Sequence, residues 1–253
     1  MAERETLWSE LFPGNRHTHD CFQPAVLGAE TALDLSLEQR RRTVWRMDGG
    51  AGSCEHFRWL LARDYQVLAK GLSAIKADAL AGKATRWDKY RQNVWLAEVE
   101  PPVDYGRPVR CFVKRQLKEG KFHHSYYIST LACSSKQAYL HFYDDRGAAE
   151  VEQFRGDKSG LGLAARRKHN FAGQQGYILL ADLAHNLLGH FWHSALANSP
   201  MAGFGPKRIV RDLLAFPGRL YFEGDRLTRV ELLSQKQFSQ ELVLCLVRFC
   251  SGG

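Results

Sequence analysis

Hydrophobic and polar positions change their rhythm three times along the chain. The β-prone segment Thr43-Val44-Trp45-Arg46-Met47 runs into Asp48-Gly49-Gly50-Ala51-Gly52-Ser53, and Phe57, Leu60 and Leu61 then follow at helical spacing before a second apolar run from Tyr65 to Ala69. That order predicts a strand, a glycine turn, a helix capped by Ser53 and another strand, the sequence pattern of an α/β core. From about Thr85 to Leu131 the pattern becomes that of short strands. Residues 94–99, Arg110 to Leu117 and Phe122 to Leu131 are apolar and aromatic; Pro101-Pro102 stops the first, and Lys118-Glu119-Gly120-Lys121 predicts a hairpin between the other two. This block reads as an antiparallel β insertion in the α/β core.

Helix returns at Ser134. Residues 135–154 contain no proline, Gly160-Leu161-Gly162 breaks the pattern, and Phe171 to Leu196 is a long, largely apolar helix. Turns at Pro217-Gly218 and Glu223-Gly224-Asp225 predict a helical turn and a hairpin over 209–230, and a last helix over 237–249. At the other end, residues 1–28 are rich in Pro, Gly, His and Asn, with turn signals at Pro13-Gly14 and Gln23-Pro24, and predict an irregular lead-in. A short helix carrying Ala29, Ala32, Leu33, Leu35 and Leu37 is expected next, ending in Arg40-Arg41-Arg42.

Composition narrows the class. With 253 residues, 45% apolar and 25% charged, the chain can bury a core without disulfides or metal staples, which excludes a wholly disordered or fibrous protein. No run approaches the roughly 18 apolar residues of a membrane span, and the start MAERETLWSE lacks the pattern of a secretory leader. Cys21, Cys54, Cys111, Cys133, Cys245 and Cys250 form no CxxC pair, which predicts reduced thiols and a cytoplasmic protein. Thirty-five Lys and Arg against 27 Asp and Glu give a net charge of +8, compatible with a polyanionic partner.

Two segments could carry chemistry. Asp48 stands at the end of a predicted strand on the lip of a glycine-rich turn, where open α/β sheets place ligand and metal sites, although a helix-capping role is equally open. In the run Tyr143-Asp144-Asp145-Arg146-Gly147-Ala148-Ala149-Glu150, helical geometry puts Tyr143, Arg146 and Glu150 on one stripe, with Asp157-Lys158 beyond. A carboxylate to hold a hard cation beside a guanidinium to grip phosphate suits a metal-and-phosphate site; a solvated face with an Arg–Glu pair is the other reading. His17, His19 and Asp20 fit a polar loop or metal ligands, His123-His124 a surface pair, and His185, His190 and His193 packing on an apolar helix. Arg166-Arg167-Lys168-His169 reads as a solvated connector or a DNA-backbone contact, and Trp95, Tyr126 and Tyr127 as sheet core.

The Y-x2-R-x3-E…K arrangement resembles the YREK signature of DDE transposases of bacterial insertion sequences. Residues 46–52 resemble the strand and turn that carry that family's second catalytic aspartate, and segments 59–61, 65–71, 157–163 and 183–186 continue the resemblance in order, over about Asn15 to Val230. The resemblance implies a ribonuclease-H-like core with a β insertion between the second Asp and the Glu, and three carboxylates that hold two Mg²⁺ or Mn²⁺ ions for cleavage and strand transfer of DNA. By that likeness Asp48 and Glu150 are catalytic metal ligands, and Tyr143, Arg146 and Lys158 hold the DNA backbone. The parts then become the lead-in (1–28), the first part of the core (29–84), the insertion (85–131), the second part with the Glu-bearing helix (132–200), and a C-terminal hairpin and helix (201–253).

The pattern departs from the family in two places. Position 157, where the signature has Lys, is Asp157; Lys158 comes one step late, and Glu152 competes with Glu150 for the metal. The first aspartate belongs on a core strand upstream of Asp48, yet only Asp20 and Asp34 precede it, and neither follows a β-rich run. These departures lead to the expectation of an N-terminally truncated copy, lacking the first core strands and weakly active or inactive. Its partner would be the ends of an insertion sequence, with a homodimer on DNA and a nucleoid location allowed. The competing expectation is a non-catalytic DNA-binding remnant that occupies element ends or pairs with full-length transposase.

Overall fold

A computed structural model describes residues 5–163, 168–233 and 238–251, apart from the side chains of 146–155, 250 and 251. Two compact units divide the chain: Phe12–Ala148, and Met1–Leu11 together with Ala149–Gly253.

The unit Phe12–Ala148 is a mixed α/β structure. Helices α1 (Thr18–Ala32) and α2 (Leu37–Arg42) lead into strand β1 (Val44–Met47), a 3₁₀ turn (Gly49–Ala51), α3 (Cys54–Ala62) and β2 (Gln66–Lys70). Helix α4 (Ala74–Gly82) and strands β3 (Asp88–Arg91), β4 (Val94–Val99), β5 (Arg110–Lys118) and β6 (Lys121–Ser129) follow, and α5 (Lys136–Gly160) begins here. The six strands lie in the order β1-β2-β6-β5-β4-β3. Strands β1 and β2 are parallel, joined through α3, and every other pairing is antiparallel. The predicted strand–turn–helix–strand order is therefore present, and the strands predicted over 85–131 are antiparallel, continuing the sheet of β1 and β2 through the β2–β6 pairing. Ser53 caps α3 through the His56 amide, as its position predicts. At the β5–β6 hairpin, Glu119 and Gly120 both take positive φ, the geometry that lets a two-residue turn follow the strand twist.

Period-two alternation sends neighbouring residues of β2 to opposite faces. Val67 and Ala69 join Phe22, Val26, Phe57, Leu60, Ala77 and Leu80 on one side of the sheet, beneath α1, α3 and α4. Leu68 joins Leu96, Phe112 and Tyr127 on the other, under Tyr139, Leu140 and Tyr143 of α5.

The irregular lead-in expected over 1–28 is not what forms: Thr18–Ala32 is helical through Pro24. Burial of Phe22 and Val26, one helical turn apart, outweighs the local turn signal of Gln23-Pro24. The single helix expected next is broken instead by Asp34 at positive φ, which separates α1 from α2.

In the other unit, α6 (Phe171–Phe191) continues as a π-helical segment (Trp192–Leu196). Beyond it, α7 (Pro206–Arg208) also runs into a π-helical stretch, and the antiparallel hairpin β7 (Gly218–Glu223) and β8 (Arg226–Leu232) precedes α8 (Ser239–Ser251). Leu188, Leu196, Met201, Phe204, Ile209, Leu213, Leu242 and Cys245 form its core. Among the described residues no helix is long and apolar enough to cross a membrane.

One polar cluster ties the sheet's entry helices together. Arg63 donates to both carboxylate oxygens of Glu30 at 2.7 Å, with Arg40 at 3.1 Å and the Tyr65 hydroxyl at 3.1 Å, so α1, α2, the end of α3 and the start of β2 share one anion. Burial alone raises the Glu30 carboxyl, but donation from Arg63 and Tyr65 and the charges of Arg63 and Arg40 overcome it and hold the group below its ordinary range. Burial, then Glu30 itself, pushes Tyr65 up to about 12. Glu30→Gln is expected to cost about 1.5–3 kcal/mol at neutral pH, the range for hydrogen bonds to charged groups. Because the folded carboxyl titrates low, that contribution is present above about pH 4 and fades as pH falls through the folded value. Urea unfolding of both proteins from pH 7 to pH 3 checks this: the gap should narrow towards acid, and a constant gap contradicts the assignment.

Candidate functional site

Asp48 leaves β1 at the point where Met47, the last strand residue, is still buried. Its Oδ1 accepts the Gly50 amide at 2.9 Å and so caps the 3₁₀ turn, while the residue itself stays exposed. Capping and exposure thus coexist, and the carboxylate stands fixed on the rim beyond the C-terminal end of a parallel strand.

The turn sits hard against its neighbours. A Cβ on Gly52 would lie 1.9 Å from the Lys70 carbonyl oxygen at the end of β2, and one on Gly71 would lie 1.9 Å from the Tyr126 ring. The Leu72 amide donates to the Gly52 carbonyl at 2.9 Å. Glycine is required here for room rather than for unusual dihedrals, since Gly52 has φ −83°.

Helix α1 packs against the same turn, with Thr18 and His19 at its start. The His19 ring stacks on His56 at 4.2 Å, and His56 stacks in turn on Phe22 at 4.3 Å. Buried His56 donates from Nδ1 to the Ala51 carbonyl at 2.9 Å, holding the turn from below. His19 also lies 3.8 Å from both Asp20 and Glu55. The polar-loop alternative for His17, His19 and Asp20 gives way to the first turn of a helix beside Asp48. The i,i+4 pair Phe22 and Val26 was the signal in the sequence that could have found it.

The N-terminal half of α5 is tied to the Asp48 strand. Arg46, two residues before Asp48, lies over the Phe142 ring at 4.8 Å and donates to the Phe142 carbonyl at 3.1 Å. Tyr143 turns inward, 7% exposed, with its ring 4.8 Å from Tyr127 in an edge-on contact. Lys114 stands 5.6 Å from the Tyr127 ring, and burial, partly opposed by Asp144, holds its ammonium below the ordinary lysine range. Arg91 comes within 3.9 Å of Asp144.

Arg146, Glu150 and the competing Glu152 belong to the stretch whose side chains lie outside the described residues. Lys158 is exposed in the last turn of α5. Its neighbour Asp157 is buried and bonded to Nδ1 of buried His185 at 2.8 Å. Position 157 thus faces the interior and position 158 faces outward. Gly156 and Gly160 make room for Pro206 and Lys207, since a Cβ on Gly160 would come within 2.6 Å of the Lys207 amide nitrogen.

Among the described residues no three His, Cys, Asp or Glu side chains gather into a metal-holding group. Searched against models of protein families and against curated proteins, the chain matches none.

Three substitutions probe these contacts. Gly52→Ala forces the turn off β2 and is expected to cost about 1–3 kcal/mol or more by overpacking, read as a lowered urea midpoint; an unchanged midpoint contradicts the close approach. Asp157→Ala removes the buried carboxylate bonded to His185 and should cost about 1–3 kcal/mol, while Lys158→Ala, at an exposed position, should cost less. Equal effects from the two would refute the inward and outward assignment.

Proposed function

We propose that the chain is a transposase of the DDE type on a ribonuclease-H-like core, acting on DNA, and that by itself it binds DNA but cleaves it weakly or not at all. The observation that carries this reading is the exposed carboxylate of Asp48 at the end of β1, on the rim of a glycine-rich turn. The antiparallel strands β3–β6, set in the chain between Asp48 and the helix of Glu150, agree with the insertion that the resemblance implies. A positive excess of 8 charges supports a polyanionic partner.

Asp48 suits a hard cation, because an exposed carboxylate offers the oxygen ligand that Mg²⁺ or Mn²⁺ requires. The resemblance makes Glu150 a metal ligand as well, and a bound ion would supply positive charge at a phosphodiester. Lys158 and Arg146 are the cations assigned to the DNA backbone. Tyr143, packed on Tyr127, orients the helix that bears them, so its part is positioning rather than contact.

The second reading, a non-catalytic DNA-binding protein, is favoured by one observation. Asp20 lies in α1 and Asp34 in the left-handed bend after it, so neither acid upstream of Asp48 stands on a strand. The two readings share DNA binding and differ in the need for Asp48.

Duplex binding measured across salt concentrations should show a log–log slope near −0.9 per phosphate contacted, and Lys158→Ala should flatten it by about one. Affinity that is insensitive to salt would sink both readings. With Mg²⁺ and DNA that carries inverted repeats, nicking should be weak; if present, it should be lost in Asp48→Ala. Strong cleavage that requires Asp48 would overturn the low-activity part of the proposal, and nicking that survives in Asp48→Ala would overturn the site.

A further inference from the structure

Residues 6–11 run along α6 and are held there through their backbone. The side-chain amide of Asn186 accepts from the Thr6 N–H at 2.8 Å and donates to the Thr6 carbonyl at 2.9 Å, the paired bonding that one β-strand residue offers another. Near the other end, the Gln175 side chain accepts from the Leu11 N–H and donates to the Ser9 carbonyl at 3.3 Å. Five steps of extended chain from Thr6 to Leu11 span about 16.5 Å, and so do the eleven helical steps from Gln175 to Asn186. The segment is therefore a straight strap laid antiparallel to α6, and both belong to the same unit.

Two features mark the strap as the occupant of a site. The first is that its hold is on the backbone. Both clamps bond main-chain N–H and C=O groups, which every residue except proline offers, while Leu7 and Trp8 stay 54% and 44% exposed. The second is an unmatched charge. Gln175, Asp182 and Asn186 share one stripe of the helix, and Asp182 is the only Asp, Glu, Lys or Arg between Phe171 and Phe191. Its Oδ2 is shut off from solvent and has no partner among the described residues, a cost that a donor would remove. By length Asp182 falls beside Trp8, and the only charged residue from Thr6 to Leu11 is Glu10, so the strap brings no cation to it.

We infer that this stripe of α6 is a docking track for an extended peptide, that residues 6–11 hold it as a displaceable strap, and that the partner it fits is an extended protein segment with Lys or Arg at the step facing Asp182. The two amide clamps set the path of the peptide, and the lone carboxylate sets the preference for a cation. The track is independent of the reading of function.

Hydrogen–deuterium exchange of the full chain, followed over residues 5–12, tests this. The strap should exchange by local opening, well ahead of β2 and β5. A synthetic peptide with the sequence of residues 5–12, added at the millimolar level that an intramolecular competitor demands, should speed strap exchange by holding the track when the strap lifts. The same peptide with Trp8→Lys should do so at a concentration about tenfold lower, and in chains with Asp182→Asn the two peptides should act alike. Asn186→Asp keeps the size of the clamp but loses its donor, and should raise strap exchange roughly five- to tenfold with the core strands unchanged. A strap that exchanges only with global unfolding, or that no peptide releases, is a fixed part of the fold, and the inference fails. Unaltered strap exchange in Asn186→Asp would overturn the clamp. Peptides of equal potency on the parent chain would refute the basic partner, a result that needs no variant to fold.

Discussion

The turn after β1 lies so close to the end of β2 that neither Gly52 nor Gly71 has room for a methyl group, and the candidate site depends on that contact. A parallel pair must send its connection over the sheet through α3, and here the connection starts by folding back onto the neighbouring strand's carbonyl before the helix begins. His56 braces the turn from inside, Ser53 starts α3, and Asp48 spends one oxygen on the Gly50 amide. The carboxylate therefore stands on a rigid support rather than on a free loop. Second-order supports converge on the same strand: Arg46 binds it to α5, and the Glu30 cluster fixes the helices that enter and leave it.

Local pattern was enough wherever local chemistry decides. Ser53 as a cap, Glu119-Gly120 as a two-residue turn and the strand runs on either side were readable, because caps, turns and alternation act over a few residues. It failed where distant contacts decide. Thr18–Ala32 becomes helix because Phe22 and Val26 have a core to enter, in spite of Pro24. Helix α4 gave little signal, since only Ala77 and Leu80 of its nine residues are buried. The site shows the same division. Asp48 on its glycine turn could be placed from neighbouring residues, whereas the inward turn of Asp157 depends on His185, 28 residues away. The inward turn of Tyr143 likewise depends on Tyr127, a residue of β6.

On the sheet unit, Arg46, Arg91 and Lys114 surround the start of α5, and each is held by an aromatic ring or an acid. Such pre-oriented cations lose less freedom on meeting a phosphate than free side chains do.

The proposed function stands or falls on whether the Asp48 turn holds a divalent ion. Iron-directed cleavage tests it most directly: Fe²⁺ takes the place of Mg²⁺, ascorbate and peroxide generate radicals at the bound ion, and the cut peptides are mapped. Cuts clustered near residue 48, suppressed by excess Mg²⁺ and lost in Asp48→Ala, are the predicted result. No cuts near residue 48, or a pattern unchanged by Asp48→Ala, would contradict the site.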